Sequence, residues 1–258
     1  MIYVTGDTHR DFKRFTAENF PEQQGMTKDD TVIICGDFGG IWDDHNSRNE
    51  RAKLEELTSK PFTTVFCDGN HENFDRLYTD YQVLEWNGGR VHRIRDGLYH
   101  LIRGEVYTIE GKKFFVFGGA ASHDIKDGIL DPDDYPDGEF DPEFRKAYME
   151  LVNRRAMFRI KGLSWWPQEQ PSEEEYENGR INLEKVGYSV DFAITHEGPE
   201  SLLKAFYGAD YEPYALPEYL EEIRSKLTYG HWFFGHHHEE HNFSEKDHML
   251  FEQIVRIV

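Results

Sequence analysis

The chain has 258 residues, 38% hydrophobic and 15% aromatic, which is enough apolar area for one large core or two small ones. Its formal net charge of −20 argues against general affinity for long nucleic acid or anionic membrane, both of which need clustered Lys and Arg, and leaves only a local cationic site open. No apolar stretch approaches membrane-spanning length, and the first residues, MIYVTGDTHR, run straight into a strand-like segment with no leader-like pattern, so a soluble cytoplasmic protein is expected.

In chain order, short apolar runs each end in glycine and polar residues: IYVTGDTH (2–9), TVIICGDFGG (31–40), TTVFCDGNHE (63–72), FFVFGGAAS (114–122), FAITHEG (192–198) and HWFFGHHH (231–238). They read as buried strands whose C-terminal loops carry the polar chemistry. Cys35 and Cys67 close two of these runs, which points to buried structural thiols rather than a disulfide or a nucleophile. Helix-like segments separate the early runs, as at 47–58 with Leu54 and Leu57 on one face, so the organisation is βαβ. Residues 84–117 alternate apolar with polar and contain the turn signals Asn87-Gly88-Gly89 and Glu110-Gly111; this portion is expected to be antiparallel.

Residues 122–190 break the rhythm with a Pro- and Asp-rich loop, a helix expected near 141–158, and LSWWPQEQPSEEE, where Ser172 and Glu175 have the spacing of a capping box and start a second helix. We read this stretch as an insertion over the active face of a single domain spanning 1–258, with a peripheral decoration or an oligomer contact as the alternative. Trp165 and Trp166 either pack this loop against the sheet or stack on an aromatic substrate group. The final MLFEQIVRIV reads as strand.

The strand ends present Asp7 and His9 in GDTH, Asp37 in GDFGG, Asn70 and His71 in GNHE, His196 in THEG, and His236 and His238 in GHHH. Carboxyl ends of parallel strands line one edge of a sheet, so residues distant in sequence are expected to converge on one crevice. Asp after Gly is commonly a turn or cap and a lone His is commonly a satisfied core residue. Five such motifs at five expected strand ends make that bland reading untenable for the set. Mixed His, Asp and Asn donors suit Mn²⁺, Fe or Zn²⁺ better than Ca²⁺, and the absence of ligand-spaced cysteines argues against a zinc finger.

The ordered set D-x-H, GD, GNHE, a lone His and GHxH resembles the calcineurin-like metallophosphoesterases, a superfamily that includes Ser/Thr protein phosphatases and many bacterial phosphatases and nucleases. That resemblance implies a four-layer α/β/β/α sandwich and two divalent transition-metal ions, Mn²⁺, Fe or Zn²⁺. By it, Asp7, His9, Asp37 and His238 would hold one ion and Asp37, Asn70, His196 and His236 the other, with Asp37 bridging. His237 and His241 fall outside this set. Two ions about 3.5–4 Å apart can share an activated hydroxide and polarise the phosphoryl group it attacks. With only Asp7 and Asp37 charged among the ligands, an acidic protein would keep a local anion trap.

His71, next to Asn70, is the candidate to protonate the leaving alkoxide or to contact a phosphoryl oxygen, on position and on resemblance. The sequence departs from the pattern twice. Gly40 stands where the protein phosphatases carry an Asp that pairs with the catalytic His, so Asp43, Asp44 or Glu72 would have to substitute. Arg10 stands where Gly is usual, and could either clamp substrate phosphate or pair with Asp11 or another carboxylate. Asn73 and His123 are further candidates for substrate contact. The leading expectation is a phosphomonoesterase; the alternatives are a phosphodiesterase or nuclease acting on a small nucleotide, and a non-catalytic metal-binding scaffold.

Overall fold

The computed structural model describes residues 1–208 and 211–258. Three parallel strands, β1 (Ile2–Thr5), β2 (Thr31–Ile34) and β3 (Thr63–Phe66), form the centre of a seven-stranded sheet. Every residue in them is buried. Helix α1 (Arg48–Thr58) starts at Ser47, whose Oγ accepts from Glu50 N, and α2 (Phe74–Thr79) starts at Asn73, whose Oδ1 accepts from Arg76 N. Both cap an otherwise orphaned N–H of the first turn.

The sheet is completed by β4 (Val83–Trp86), β5 (Gly89–Arg95) and β6 (Leu98–Leu101), with β6 parallel to β3 and the β4–β5 and β5–β6 pairs antiparallel. Asn87 and Gly88 turn the β4–β5 hairpin with φ of 50° and 85°. Positive φ at both central residues is what a tight right-twisted hairpin requires. The same device, Glu110-Gly111, joins β7 (Val106–Ile109) to β8 (Lys112–Phe117). The antiparallel portion expected at 84–117 is therefore shared between two sheets.

The second sheet has the order β13-β14-β12-β11-β8-β7, where β11 is Phe192–Thr195, β12 His231–Phe234, β13 His241–Asn242 and β14 Asp247–Met249. Between β8 and β11 lie the two-residue pair β9 (Ile129–Leu130) and β10 (Arg159–Ile160), α3 (Pro142–Asn153) and α4 (Glu173–Lys185). Both bonds of the capping box form: Ser172 Oγ accepts from Glu175 N, and Glu175 Oε2 from Ser172 N at 2.8 Å. The MLFEQIVRIV segment is not one strand. Met249 ends β14 in the second sheet, while β15 (Ile254–Arg256) pairs antiparallel with β1 in the first.

Alternation explains the layers. Tyr3, Val32 and Ile34 face a first core with Phe12, Phe15, Leu54, Leu57 and Leu77. Their neighbours Ile2, Val4 and Ile33 face a second core, where they meet Phe114, Val116, Phe192, Ile194 and Phe233 of the other sheet. The second sheet's outer residues, Phe115, Phe117, Trp232 and Phe234, pack on α4, on α5 (Glu200–Tyr207) and on α6 (Ala215–Lys226) through Tyr176, Leu203 and Leu220. Strands with two buried faces read as unbroken apolar runs. The result is helix, sheet, sheet, helix, and α4 supplies part of an outer layer. Among the described residues, no helix is long and apolar enough to cross a membrane.

Candidate metal centre

The carboxyl ends of β1, β2 and β3 meet those of β11 and β12, so the chemistry gathers at one end of the cleft between the two sheets. Five non-glycine residues of these loops, His9, Arg10, Asp37, His236 and His238, have φ between 43° and 70°. Backbone held in this left-handed region costs free energy, and it concentrates where side chains must be aimed. The loops brace one another: Thr8 N and His9 N both donate to Asp37 O, at 3.1 and 2.8 Å.

Two groups of side chains share Asp37. Asp7, His9, Asp37 and His238 form one, and Asp37, His196 and His236 the other; within each group the ligand atoms lie within 4.8 Å of one another. His9 Nε2 and His238 Nε2 are 2.8 Å apart, and His238 Nε2 is 3.3 Å from Asp7 Oδ2. His196 Nε2 is 3.3 Å from Asp37 Oδ1, which also accepts from His71 N at 2.7 Å. Glycine is required for such closeness. A Cβ at Gly69 would sit 2.1 Å from Asp37 Oδ1, and one at Gly36, where φ is 92°, would sit 2.2 Å from His196 Nδ1.

The hydrogen bonds leave ligand atoms free while fixing the rest of each side chain. Asp7 Oδ1 accepts from His236 N at 2.9 Å, while its buried Oδ2 has no hydrogen-bond partner among the described residues. His196 Nδ1 lies 2.8 Å from Cys35 O, a pure acceptor, so Nδ1 carries a proton, and the buried Nε2, without a hydrogen-bond partner among the described residues, is the nitrogen left to face a cation. Asn70 Nδ2 donates to Ser122 Oγ at 3.2 Å, Ser122 Oγ donates to Glu169 Oε2 at 2.7 Å, and Asn70 Oδ1 is left buried without a hydrogen-bond partner among the described residues. Unpaired buried acceptors are costly. Metal ions held at this centre would satisfy them, so the donor set fits a metal.

Electrostatics agree. Burial opposes charge on His196, yet Asp37 and Asp7 outweigh it and push its pKa up to about 10, the response of a site built around positive charge. Burial likewise opposes the Asp37 carboxylate, but His196, His71 and His9 hold it well below the usual range. His9 and His236 are pushed down by burial, which keeps them neutral and able to donate a lone pair.

His71 is wedged between His9 and Trp42, with ring centroids 4.8 and 5.9 Å away. Its Nε2 lies 3.1 Å from Arg159 Nη2. Gly40 cannot be the seat of a carboxylate here, because a Cβ would fall 2.3 Å from the Phe38 ring. Among the candidate substitutes, Asp43 accepts from Arg10 and Ser47, Asp44 from Asn46 N, and Glu72 from Phe38 N and Gly39 N. Arg10 thus pairs with Asp43 at 2.8 Å rather than with Asp11, and it lines a cleft of about 300 Å³ with His9, Gly39, Trp42 and His71.

Other singled-out residues take structural places. Asn73 caps α2, and Trp166 joins the first core and donates from Nε1 to Asp75. Both ring nitrogens of His237 are engaged, by Glu197 at 2.8 Å and by the Tyr207 hydroxyl at 2.8 Å, and His241 lies exposed in β13. His123 stacks on His236 at 4.6 Å. Sequence reasoning missed Arg159, Ser122 and Glu169, which carry no motif, and Glu197, visible only as the residue after His196.

The family model for calcineurin-like phosphoesterase matches residues 1–240. The chain belongs to this family. Family membership carries metal-dependent phosphoester hydrolysis, and the two side-chain groups sharing Asp37 give this phosphoesterase a place to hold metal. Comparison with curated proteins returned no match.

Proposed function

We propose that this phosphoesterase is a dinuclear phosphomonoesterase. Asp7, His9, Asp37 and His238 would hold one divalent ion and Asp37, Asn70, His196 and His236 the other, with Mn²⁺, Fe and Zn²⁺ all compatible with these donors. The observation that carries the reading is Asp37 shared between two groups, together with the buried atoms Asp7 Oδ2, Asn70 Oδ1 and His196 Nε2, which have no hydrogen-bond partner among the described residues. When bound, the ions supply Lewis acidity toward a phosphoryl oxygen and toward the attacking water.

The chain's own groups do the rest. Asp37 fixes the backbone of His71 through the 2.7 Å contact with its N–H, so the general-acid candidate is tied to the centre it serves. Trp42 and His9 close on the His71 ring and set its plane. Arg159 is always a donor, so His71 Nε2 accepts from it and the ring proton resides on Nδ1 in the substrate-free protein. For Nε2 to protonate the leaving oxygen, that contact must give way and Nε2 must itself take up a proton. Arg10 stands at the cleft wall, held there by its pair with Asp43.

The test is hydrolysis of p-nitrophenyl phosphate against its bis-ester by Mn²⁺-supplemented protein, with bound metal quantified. Wild type should prefer the monoester; Asp37→Asn should lose metal and rate together; His71→Ala should keep metal and lose about 10²–10⁴-fold in kcat. A strong preference for the diester would make the protein a phosphodiesterase. Full metal loading without hydrolysis of any phosphoester would make it a binding scaffold.

A further inference from the structure

Arg159 stands apart from the other cations around the centre. Arg10 is committed to Asp43 and Gly39 O, Arg14 donates to the carbonyls of Asp7 and Phe251, and Lys13 is exposed beside Asp11. The Arg159 side chain is only 10% exposed and is held from behind, Nε donating to Asp124 Oδ1 at 2.6 Å and Nη1 to Ser164 O at 3.0 Å. Its remaining contact is to a neutral acceptor, His71 Nε2, at 3.1 Å. A guanidinium has five N–H donors, so one on each terminal nitrogen is uncommitted among the described residues.

We propose that Arg159 grips the phosphoryl group of the substrate, and that its contact with His71 is the resting position of that grip. This rests on the phosphomonoesterase reading and deepens it. The anchoring by Asp124 and Ser164 fixes the guanidinium against the ring of His71, whose backbone N–H is held by Asp37, so a phosphoryl group placed between the metal ligands and the acid candidate comes within its reach. A phosphate dianion offers the guanidinium an opposite charge and two oxygens in fork geometry, where His71 offers one neutral nitrogen, so arriving substrate outcompetes His71 for Nη2. The exchange leaves His71 Nε2 free of Arg159. Because a monoester dianion carries more charge on its free oxygens than a diester, the same residue favours monoesters.

The experiment compares wild type, Arg159→Ala, Arg159→Lys and Asp124→Asn, each Mn²⁺-loaded with metal quantified, in two readouts: calorimetric binding of inorganic phosphate, and KM and kcat for the monoester and the bis-ester. Arg159→Ala should keep its metal, weaken phosphate binding by about tenfold to a hundredfold and raise KM for the monoester in step, with the bis-ester changed less. Arg159→Lys, which retains charge but not the fork, should fall between, and Asp124→Asn should show a milder loss in the same direction. Equal phosphate affinity in wild type and Arg159→Ala overturns the proposal, whether or not turnover changes. The two readings fail separately: Arg159-dependent phosphate binding without hydrolysis sinks the phosphatase and leaves this site standing, while hydrolysis indifferent to Arg159 does the opposite.

Discussion

Replacing Arg103 by Leu tests how the ligand loop after β3 is supported from beneath. Arg103 is 1% exposed, and its Nε donates to Asp68 Oδ2 at 2.8 Å while Nη2 makes a second, shorter contact to the same oxygen. Its other bonds run to Gln168 O at 2.8 Å and Glu175 Oε2 at 3.2 Å, so one guanidinium ties Asp68, two residues before Asn70, to the start of α4. Asp68 is fully buried, and His100 Nε2, 3.0 Å from its Oδ1, is its other ionisable partner. Leu keeps much of the volume, so the loss isolates the charge. Breaking a buried ion pair from one side costs about 3–5 kcal/mol. For a chain of this size that is a fall in Tm of roughly 6–20 °C.

The pH dependence carries a sign. Burial opposes the Asp68 carboxylate, but Arg103 and His100 hold its pKa far below the ordinary carboxylate value in the folded state. A depressed folded pKa gives stability that is complete above the unfolded value of about 4 and fades as pH falls through the folded one. The difference between wild type and Arg103→Leu should therefore be largest at neutral pH and shrink in acid below about pH 4. Urea denaturation at several pH values checks both points, with the Asp68→Asn/Arg103→Leu double variant as control. A single-variant loss under about 1 kcal/mol, or a double variant as unstable as the sum of the singles, would refute the reasoning.

Ser122→Ala removes the group that fixes the Asn70 amide and leaves Glu169 without its hydroxyl partner. Metal affinity should drop by about 10–100-fold at one ion's site, read by chelator competition, with thermal stability little changed when metal is saturating. Gly69→Ala puts a methyl 2.1 Å from Asp37 Oδ1 and 2.5 Å from Asp37 N. The purified variant should bind less metal and lose about 1–3 kcal/mol in denaturant unfolding, and unchanged metal content would show that the loop has slack.

The strand cores were legible because they are local. IYVT, TVII and TTVF are apolar without interruption, and only a strand buried on both faces tolerates that. Capping at Ser172 was visible for the same reason, since side chain and target lie three residues apart. The C-terminal segment misled because its apolar character continues across the crossing from β14 to β15; periodicity registers burial, not which sheet provides it.

What the sequence by itself determined is the chemistry on offer: Asp, His and Asn at the ends of short apolar runs, in an order that marks the family. What only the tertiary structure decided is who meets whom. Asp7, Asp37 and Asn70 come from one sheet and His196 and His236 from the other, and their meeting depends on how the two sheets pack. His71 meets Arg159 across 88 positions, and Asn70 meets Ser122 across 52. Hydrogen bonds that close loops of that length leave no trace in propensity or spacing, because the partner's identity is set by three-dimensional distance and not by its neighbours along the chain. Arg10 makes the converse point. Adjacent to a ligand and suited to phosphate by its chemistry, it is drawn to Asp43 by the fold, and the less conspicuous Arg159 lies against the acid candidate.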